Sequence, residues 1–253
     1  MRAYGLIVIG DEILRGKRQD KHLEKFIDIL AARGLHLSWA EYLPDERPRL
    51  ITTFRRTLAS DDVVFSCGGI GVTPDDHTRQ AAAAAAEVTL ALHPDAEREI
   101  RARMAEIGEP VTPERLELGT VPAGSRIIPN PFNRIPGFSF RDHHFLPGFP
   151  QMAWPMAEWV LDTYYADDFR QGGETEAAIL VWDGLEGRML ELMRKTEADF
   201  PGITVFSLPF LGNETLRRHV ELGVRGEPAA VARAIEVLKA GVTALGYSWD
   251  EKA

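Results

Sequence analysis

A short apolar run that leads into a glycine-rich turn most constrains how this chain can fold. Residues 63–65 read Val-Val-Phe, residues 68–71 read Gly-Gly-Ile-Gly, and residues 73–76 read Thr-Pro-Asp-Asp. The run predicts a buried strand, and the last segment predicts the start of a helix that continues through the alanines 81–86. Glycines let backbone N–H groups approach a ligand, and the first N–H groups of a helix have no partner within it. The pattern therefore predicts a pocket for an anion such as phosphate.

Two aspartates in the same segment bear on the kind of anion site. Asp75 and Asp76 would repel a phosphate unless a cation lay between them, which favours a phosphate site that uses a divalent metal ion. An ordinary helix start is the alternative, because Thr73 is a good N-cap and Pro74 suits the first helical position. The glycines favour the binding site, since a helix start needs none of them, although such a turn alone is a weak signal.

The periodicity around this stretch predicts the fold class. The segments 4–9 and 35–42 are typical of strands, the segment 20–33 is typical of a helix, and Asp45 is a suitable cap for a further helix. The resulting β-α-β-α-β-α order predicts the α/β class, with a doubly wound, mostly parallel sheet. Ligands of such sheets bind beyond the carboxyl ends of the strands.

Acidic residues follow two of the predicted strands at that edge. Asp11 and Glu12 follow the first strand, and Asp75 and Asp76 follow the third. We expect these four acids to face a single pocket, which strengthens the metal hypothesis. The alternative is that they are separate, solvated charges.

Turns and a polar stretch organise the rest of the chain. The region 138–146 predicts a hairpin, followed by the Pro-Gly-Phe-Pro turn at 147–150 and a helix. A polar, glycine-bearing stretch at about 166–174 predicts a domain boundary, which divides the chain into domains 1–167 and 174–250. The second domain reads β-α-β-β-α, which predicts a small α+β layer.

Charge and cysteine content exclude several classes of protein. The chain has 253 residues and a net charge of −9, which argues against a sequence-independent nucleic-acid binder, because such proteins usually present a basic face. Its one cysteine, Cys67, permits no intrachain disulfide and is more typical of a buried residue than of a nucleophile. No signal peptide opens the chain, and no apolar stretch approaches the roughly 20 residues of a membrane span. We expect a cytoplasmic protein that binds neither nucleic acid nor membranes.

Further polar residues are weaker candidates for the predicted phosphate site. Arg15, Lys17 and Arg18 lie in the loop after the first strand and are able to reach phosphates, although exposed basic residues are common. His143 and His144 are adjacent in a predicted strand. Their side chains should point to opposite faces, so a shared metal ion is not expected.

Four stretches resemble the molybdopterin-binding fold shared by the MoaB/Mog proteins and the N-terminal domain of CinA (competence/damage-inducible protein A). GGIGVTPDD resembles the GG-x-G-x-T-x-D-D signature of that fold. In the CinA-like branch, GDEILRG resembles G-x-E-I-L-x-G, PNPFNRIPGF resembles N-P-x-G-x-A-P-G-F, and FLPGFP resembles L-P-G-x-P. These stretches begin at residues 68, 10, 129 and 145, and together they extend over nearly all of residues 1–165 in the family's order.

The resemblance implies a parallel α/β core with an appended antiparallel pair. It also implies a small-molecule ligand that carries phosphate and a heterocycle, such as molybdopterin or a dinucleotide. In the CinA-like branch it implies hydrolysis of pyrophosphate bonds, as in ADP-ribose, with Mg, Mn or Co as the divalent metal. Related folds commonly form homo-oligomers, and we expect at least a dimer. The sequence ends near residue 250, so we expect the nicotinamide-nucleotide amidase domain of full-length CinA to be missing, and no deamidase activity.

Position by position, the resemblance implies roles for named residues. The catalytic candidates are Asp75, Asp76 and Glu12, and the metal candidates are Asp11, Asp75 and Asp76. The candidates for binding phosphate or other parts of the ligand are Gly10, Gly68, Gly69, Gly71, Thr73, Gly148 and Pro150.

The chain also departs from the CinA-like pattern. Lys21 and His22 replace a Thr-Asn pair, and Asn133 and Ile135 replace a glycine and an alanine. Met152 stands where an acid commonly follows the L-P-G-x-P turn, and loss of a possible metal ligand or base weakens the case for hydrolysis. Three hypotheses therefore stay open: a pyrophosphohydrolase, a non-hydrolytic protein that binds molybdopterin or another phosphorylated heterocycle, and a regulatory or scaffolding protein whose second domain is the interaction surface.

Overall fold

The computed structural model describes residues 2–169 and 175–252, and the chain divides into two compact units between these ranges. The predicted boundary at 166–174 lies partly outside the described residues. The exact limits of the predicted domains, 1–167 and 174–250, stay predictions. No helix within the described ranges is long and apolar enough to cross a membrane.

The first unit alternates strands and helices up to residue 86, as the periodicity predicts. Its elements in chain order are β1 Tyr4–Ile9, α1 Asp11–Leu14, α2 His22–Ala31, β2 Leu37–Leu43, α3 Arg47–Leu58, β3 Val63–Cys67, α4 Thr78–Ala86, β4 Leu90–Leu92, α5 Pro94–Ile107, α6 Pro113–Glu117, β5 Thr120–Pro122, β6 Arg126–Ile128, β7 Gly137–Phe140, β8 His143–Leu146 and α7 Pro150–Tyr164.

A six-stranded sheet in the order β2-β1-β3-β8-β7-β6 forms the centre of this unit. β1 pairs in parallel with β2 and β3, and β3 pairs in parallel with β8. β7 runs antiparallel to β8 and to β6. Val8 lies opposite Cys67, and Cys67 lies opposite Leu146, so the loops after β1, β3 and β8 begin at one edge. This arrangement confirms the α/β fold with a mostly parallel sheet and an antiparallel pair.

Alternate residues of the strands bury an apolar layer on each face of the sheet. Leu6 and Phe65 pack in one cluster with residues of α2 and α7. Ile7 and Val64 pack in the other with residues of α3 and α4. Successive side chains of a strand point to opposite faces, and helices cover both faces here, so β1 and β3 are buried throughout.

Two buried histidines sit in the middle of the sheet, on opposite sides of β8. His143 Nε2 lies 2.7 Å from Ser66 Oγ. The ring nitrogens of His144 lie 2.8 Å from Ser139 Oγ and 2.8 Å from the Tyr165 hydroxyl. The two side chains thus have separate hydrogen-bond partners, on opposite faces of the sheet as predicted. Burial lowers the pKa of both histidines, that of His144 to about 3.

The second unit is a small α+β layer. Its elements are β9 Thr175–Trp182, α8 Glu186–Asp199, β10 Thr204–Phe210, β11 His219–Gly226, α9 Pro228–Ala244 and β12 Trp249–Glu251. The strands form an antiparallel sheet in the order β10-β11-β9-β12. The predicted β-α-β-β-α order is present, with β12 in addition. The strand predicted from residue 215 begins at His219, because Asn213 Oδ1 accepts the N–H groups of Thr215 and Leu216 in a turn.

Candidate functional site

A cavity of about 530 Å³ opens at the carboxyl edge of the six-stranded sheet. Its walls come from the loops after β1, β2, β3, β6 and β8 and from the start of α7. The lining residues that bear on its chemistry are Gly10, Glu12, Arg18, Asp45, Gly68, Gly69, Ile70, Gly71, Val72, Thr73, Asp75, Asp76, Asn130, Asn133, Gly148 and Met152. The sheet edge predicted to bind a ligand therefore carries a cavity.

The glycine loop at 68–71 has a shape that few other residues would allow. Gly69 has a φ of 67°, in the left-handed region, and a Cβ there would lie 2.4 Å from Thr78 Oγ1. A Cβ on Gly71 would lie 2.4 Å from Asp76 Oδ2. A glycine loop of this kind brings backbone close to whatever occupies the cavity.

The hydrogen bonds of this loop leave its N–H groups available. The carbonyls of Gly68 and Gly69 accept from the Thr78 hydroxyl at 2.9 Å and the Thr78 N–H at 3.0 Å. Within the described part of the chain, the N–H groups of Gly69, Ile70 and Gly71 donate to no protein group. Successive free backbone N–H groups in a turn can form an anion-binding concavity, and these three residues line the cavity.

The helix after the loop begins at Thr78, so the prediction that Thr73 caps it is wrong. Thr73 and Asp76 instead close a turn of their own. Asp76 Oδ2 accepts the Thr73 N–H at 2.8 Å, and the Thr73 carbonyl accepts the Asp76 N–H at 2.9 Å. Because this side chain satisfies a backbone group locally, the aspartates project from a loop at the cavity rim rather than from a helix.

Three of the four predicted acids line the cavity, and one does not. Glu12, Asp75 and Asp76 belong to the walls, whereas Asp11 does not. The Asp11 carboxylate accepts from the Arg15 guanidinium at 2.7 Å. Its position in α1, turned to a basic residue one helical turn away, argues against the predicted role as a metal ligand.

Asp45 supplies an acid that the sequence interpretation assigned to helix capping. The N-cap of α3 is Glu46, so that assignment is wrong. Asp45 lines the cavity, and its Oδ2 accepts the Asp11 N–H at 2.9 Å. Burial, followed by the nearby charges of Glu12, Asp11 and Asp75, raises the pKa of Asp45. An acid two residues after the second parallel strand was the available sequence signal.

The pKa of Asp75 is shifted in the opposite direction from that of Asp45. The Thr73 hydroxyl lies 2.6 Å from Asp75 Oδ1 and 2.5 Å from Asp76 Oδ2. This hydroxyl lowers the pKa of the exposed Asp75 carboxyl, which is therefore ionised at neutral pH. The rim thus contains two carboxyl groups with opposite pKa shifts. The pKa of Asp75 is lowered, and that of Asp45 is raised.

The acids do not form a closed metal site. Among residues 2–169 and 175–252, no group of three His, Cys, Asp or Glu side chains could hold a metal ion. A site built from protein ligands alone therefore does not fit. Mg²⁺ in phosphate sites is commonly held by one or two carboxylates together with phosphate oxygens and waters. Asp75 and Asp76, both near one hydroxyl at the rim, fit a partial ligand set of that kind.

The remaining predicted ligand residues divide between the wall of this cavity and its surroundings. Gly10 and Gly148 are in the wall, and a Cβ on Gly148 would lie 3.4 Å from Gly68 Cα. Pro150 begins α7 and is not among the lining residues of this cavity. Met152 lines it, where the family pattern carries an acid, and its Sδ lies 3.7 Å from Asn133 Nδ2.

Arg79 is a buried residue of the site that the sequence interpretation missed. Its side chain is only 1% exposed. The guanidinium donates to the Gly71 carbonyl at 2.7 Å, to the Thr120 carbonyl at 3.0 Å and to the Glu117 carbonyl. It therefore ties the glycine loop to the segment between α6 and β5. In the sequence it is one basic residue in an alanine-rich helix, which gives no sign of burial.

The comparisons with known proteins agree with this geometry. A protein of Caldivirga maquilingensis is 33% identical over 137 residues, which cover 54% of this chain and 53% of that protein. A CinA-like protein of Anaeromyxobacter sp. strain K is 32% identical over 181 residues, 70% of this chain and 43% of that protein. The chain thus matches about half of the length of these relatives.

A solved structure extends the likeness to three dimensions. The crystal structure of the protein CinA, of unknown function, from Thermoplasma acidophilum has a TM-score of 0.57 and 25% sequence identity, and the match covers 64% of this chain and 98% of that one. Residues 5–166 match the family described as the probable molybdopterin binding domain. With its glycine loop, its mostly parallel sheet and its CinA-like relatives, the chain belongs to this family of probable molybdopterin binding domains.

Proposed function

We propose that the cavity binds a phosphorylated small molecule and hydrolyses its pyrophosphate bond with a divalent metal ion, in nucleotide diphosphates such as ADP-ribose. One observation carries the proposal. The carbonyls of the glycine loop are bound by Thr78 and Arg79, while the N–H groups of Gly69, Ile70 and Gly71 are available to phosphate oxygens. An anion is the natural ligand for such a loop.

The charge of the cavity supports a cation in the reaction. Four carboxyl groups line it, against one basic side chain, that of Arg18. A phosphate in the cavity would therefore meet an excess of negative charge. A divalent ion held by Asp75 and Asp76 would offset this repulsion. When bound, such an ion neutralises charge on phosphate oxygens and makes a bound water more nucleophilic.

The protein residues have separate roles in this proposal. The glycine loop holds the phosphates through its N–H groups, and Arg79 keeps that loop in position through the Gly71 carbonyl. We assign to Asp45 the exchange of a proton with the attacking water, because it lines the cavity and its pKa is raised above that of an ordinary aspartate. Glu12 lies in the same wall and contributes negative charge that raises this pKa.

A second candidate function is binding without hydrolysis. Met152 lines the cavity at the position where the CinA-like pattern has an acid, so one possible ligand or base is missing. The ligand would then be molybdopterin or another phosphorylated heterocycle, in agreement with the description of the family as a probable molybdopterin binding domain.

Release of AMP from ADP-ribose separates the two candidates. We would assay the protein with Mg²⁺, Mn²⁺ or Co²⁺ and again with EDTA. Asp76→Asn should abolish release while sparing the fold, because the amide oxygen still accepts the Thr73 N–H but no longer carries charge. Asp61→Asn, a change at an exposed aspartate outside the cavity, is the matched control and should keep wild-type activity.

Each outcome decides between the candidates. Metal-dependent release that is lost in Asp76→Asn supports the hydrolase. If Asp76→Asn is as active as the wild type, the assignment of Asp76 is wrong. If the wild type releases no AMP but ADP-ribose raises its melting temperature, the cavity binds without hydrolysis.

A further inference from the structure

Asn133 is a residue of the cavity wall whose amide is held in a known orientation. It lies in the loop between β6 and β7, is partly exposed and lines the cavity of about 530 Å³. Its Oδ1 accepts the Ile135 N–H at 3.0 Å and Nδ2 of Asn130 at 2.8 Å. A backbone N–H only donates, so the atom that it meets is the amide oxygen. The amide nitrogen of Asn133, Nδ2, is therefore the polar atom of this side chain that is left for other partners.

The loop that carries Asn133 is firmly held. Asn130 is only 5% exposed, and both ends of its amide are hydrogen-bonded within the loop. Arg134 has a φ of 61°, in the left-handed region that is unfavourable for a residue with a side chain. Its guanidinium lies 2.9 Å from Glu99 and 2.7 Å from Glu106, both in α5. A strained backbone persists where its surroundings fix it, so these contacts hold Asn133 in one conformation.

The Asn133 amide nitrogen has only a weak partner. Among residues 2–169 and 175–252, it meets Met152 Sδ at 3.7 Å and no other acceptor. A thioether sulfur is a weak acceptor, and the amide nitrogen carries two N–H groups. The cavity wall therefore presents a fixed donor that a ligand can satisfy. The CinA-like pattern has a glycine at this position, so this donor is a feature of this chain and not of that pattern.

We infer that Asn133 donates a hydrogen bond to a second phosphate group and so makes the cavity selective for diphosphates over monophosphates. The inference rests on the proposed function, in which the N–H groups of the glycine loop hold one phosphate. The glycine loop follows β3 and the Asn133 loop follows β6, so two separate segments bring donors to the wall of one cavity. A hydrogen bond to an ionised oxygen is stronger than one to a neutral acceptor, which favours a phosphate at Asn133. Asn133 is thus a specificity-determining residue.

Calorimetric titration with two nucleotides in the presence of Mg²⁺ tests this inference. In adenosine 5′-(α,β-methylene)diphosphate the two phosphorus atoms are joined through carbon, so the protein cannot hydrolyse it, and AMP is the matched monophosphate. We expect the wild type to bind this analogue more tightly than AMP. Asn133→Ser removes the donor and keeps an oxygen for the Ile135 N–H. It should weaken the analogue roughly tenfold and leave AMP unaffected.

Asn133→Asp separates loss of the donor from other effects. It keeps Oδ1, and with it the hydrogen bonds of the loop, but it replaces the donor by a charged oxygen. We expect it to weaken the analogue roughly 10–100-fold. A loosened loop would weaken binding in Asn133→Ser alone, and an effect of charge would weaken it in Asn133→Asp alone. Only loss of the donor weakens the analogue in both variants.

Asn213→Ser is the matched control. Asn213 Oδ1 accepts the Thr215 N–H at 3.0 Å in the same kind of turn, within the second unit and outside the cavity. This variant should bind both nucleotides as the wild type does. Thermal unfolding checks that each variant folds. If Asn133→Ser does not fold, Asn133→Asp decides the result, because loss of the donor weakens the analogue more than AMP.

Three outcomes would overturn the inference. The first is a wild type that binds the analogue no more tightly than AMP. The second is a folded variant at Asn133 with wild-type affinity for the analogue, and the third is an Asn133→Ser variant that weakens both nucleotides equally. Weakened binding of the analogue, in a protein that never cleaves ADP-ribose, would refute the hydrolase and leave the role of Asn133 standing. Release of AMP from ADP-ribose, with Asn133→Ser binding the analogue as the wild type does, would have the opposite meaning.

Discussion

Replacing Gly69 by alanine tests whether the glycine loop depends on its backbone shape. Gly69 has a φ of 67°, a region that costs a residue with a side chain about 1–2 kcal/mol. The new Cβ would lie 2.4 Å from Thr78 Oγ1, so that hydroxyl must move and lose its 2.9 Å hydrogen bond to the Gly68 carbonyl. This bond contributes about 1 kcal/mol. We expect Gly69→Ala to lower the free energy of unfolding by about 2–3 kcal/mol.

Gly108→Ala is a control with the same backbone angle. Gly108 also has a φ of 67°, but a Cβ there would meet no atom within 4 Å. Both variants gain the same small benefit, because alanine restricts the unfolded chain. The difference between the two losses of stability therefore isolates the contact with Thr78, and we expect it to be about 1 kcal/mol.

Urea unfolding measures both losses, and titration with ADP-ribose measures binding. Gly69→Ala should also weaken ADP-ribose, because its N–H group shifts, whereas Gly108→Ala should bind as the wild type does. Equal losses of stability in the two variants would show that the contact between the new Cβ and Thr78 Oγ1 costs nothing. Wild-type affinity in a folded Gly69→Ala variant would show that the loop does not hold the phosphates.

Two further predictions concern buried polar groups. Arg79→Met removes the donor to three backbone carbonyls and should lower the free energy of unfolding by about 3 kcal/mol. Arg98→Met, which breaks only an exposed ion pair, should change it by less than about 0.5 kcal/mol in the same urea titration, and comparable losses would contradict this. Stability should also fall as the pH decreases below about 6.5, because the folded-state pKa values of His143 and His144 lie below those of the unfolded chain. Each histidine should contribute a loss of about 1.4 kcal/mol between pH 7.5 and 5.5, and a flat stability profile over this range would refute their neutral burial.

Much of the sheet could be predicted because its pattern is local. A few consecutive residues are enough to identify the apolar strands at 4–9 and 63–65 and the glycine turn at 68–71. The edge that the loops after these strands share then follows from general rules for parallel sheets, whereas the order of the strands was not predicted. The strands β4 and β12 were not predicted, because each has only three residues. β4 pairs with β5 in a separate two-stranded sheet, and β12 lies at the edge of the four-stranded sheet.

The predictions of helix caps were wrong where a side chain suited either a cap or another local role. Thr73 and Asp76 fit a helix start in sequence, but they close their own turn and the helix begins at Thr78. Asp45 fits a helix cap, but it lies in the cavity wall. Propensity cannot rank such alternatives, because contacts with distant residues decide between them.

The sequence by itself determined the fold class, the position of the glycine loop and the sheet edge where the site lies, because these depend on periodicity and on residues close together in the chain. Tertiary structure decided which acids share the cavity. It turned Asp11 towards Arg15, brought Asp45 into the wall, and buried Arg79 against carbonyls far away in the sequence. It also left Nδ1 of His22 and Nε1 of Trp154 without a hydrogen-bond partner among the described residues. Burial and unmet hydrogen bonds are properties of the packed chain, and the sequence carries no local signal for them.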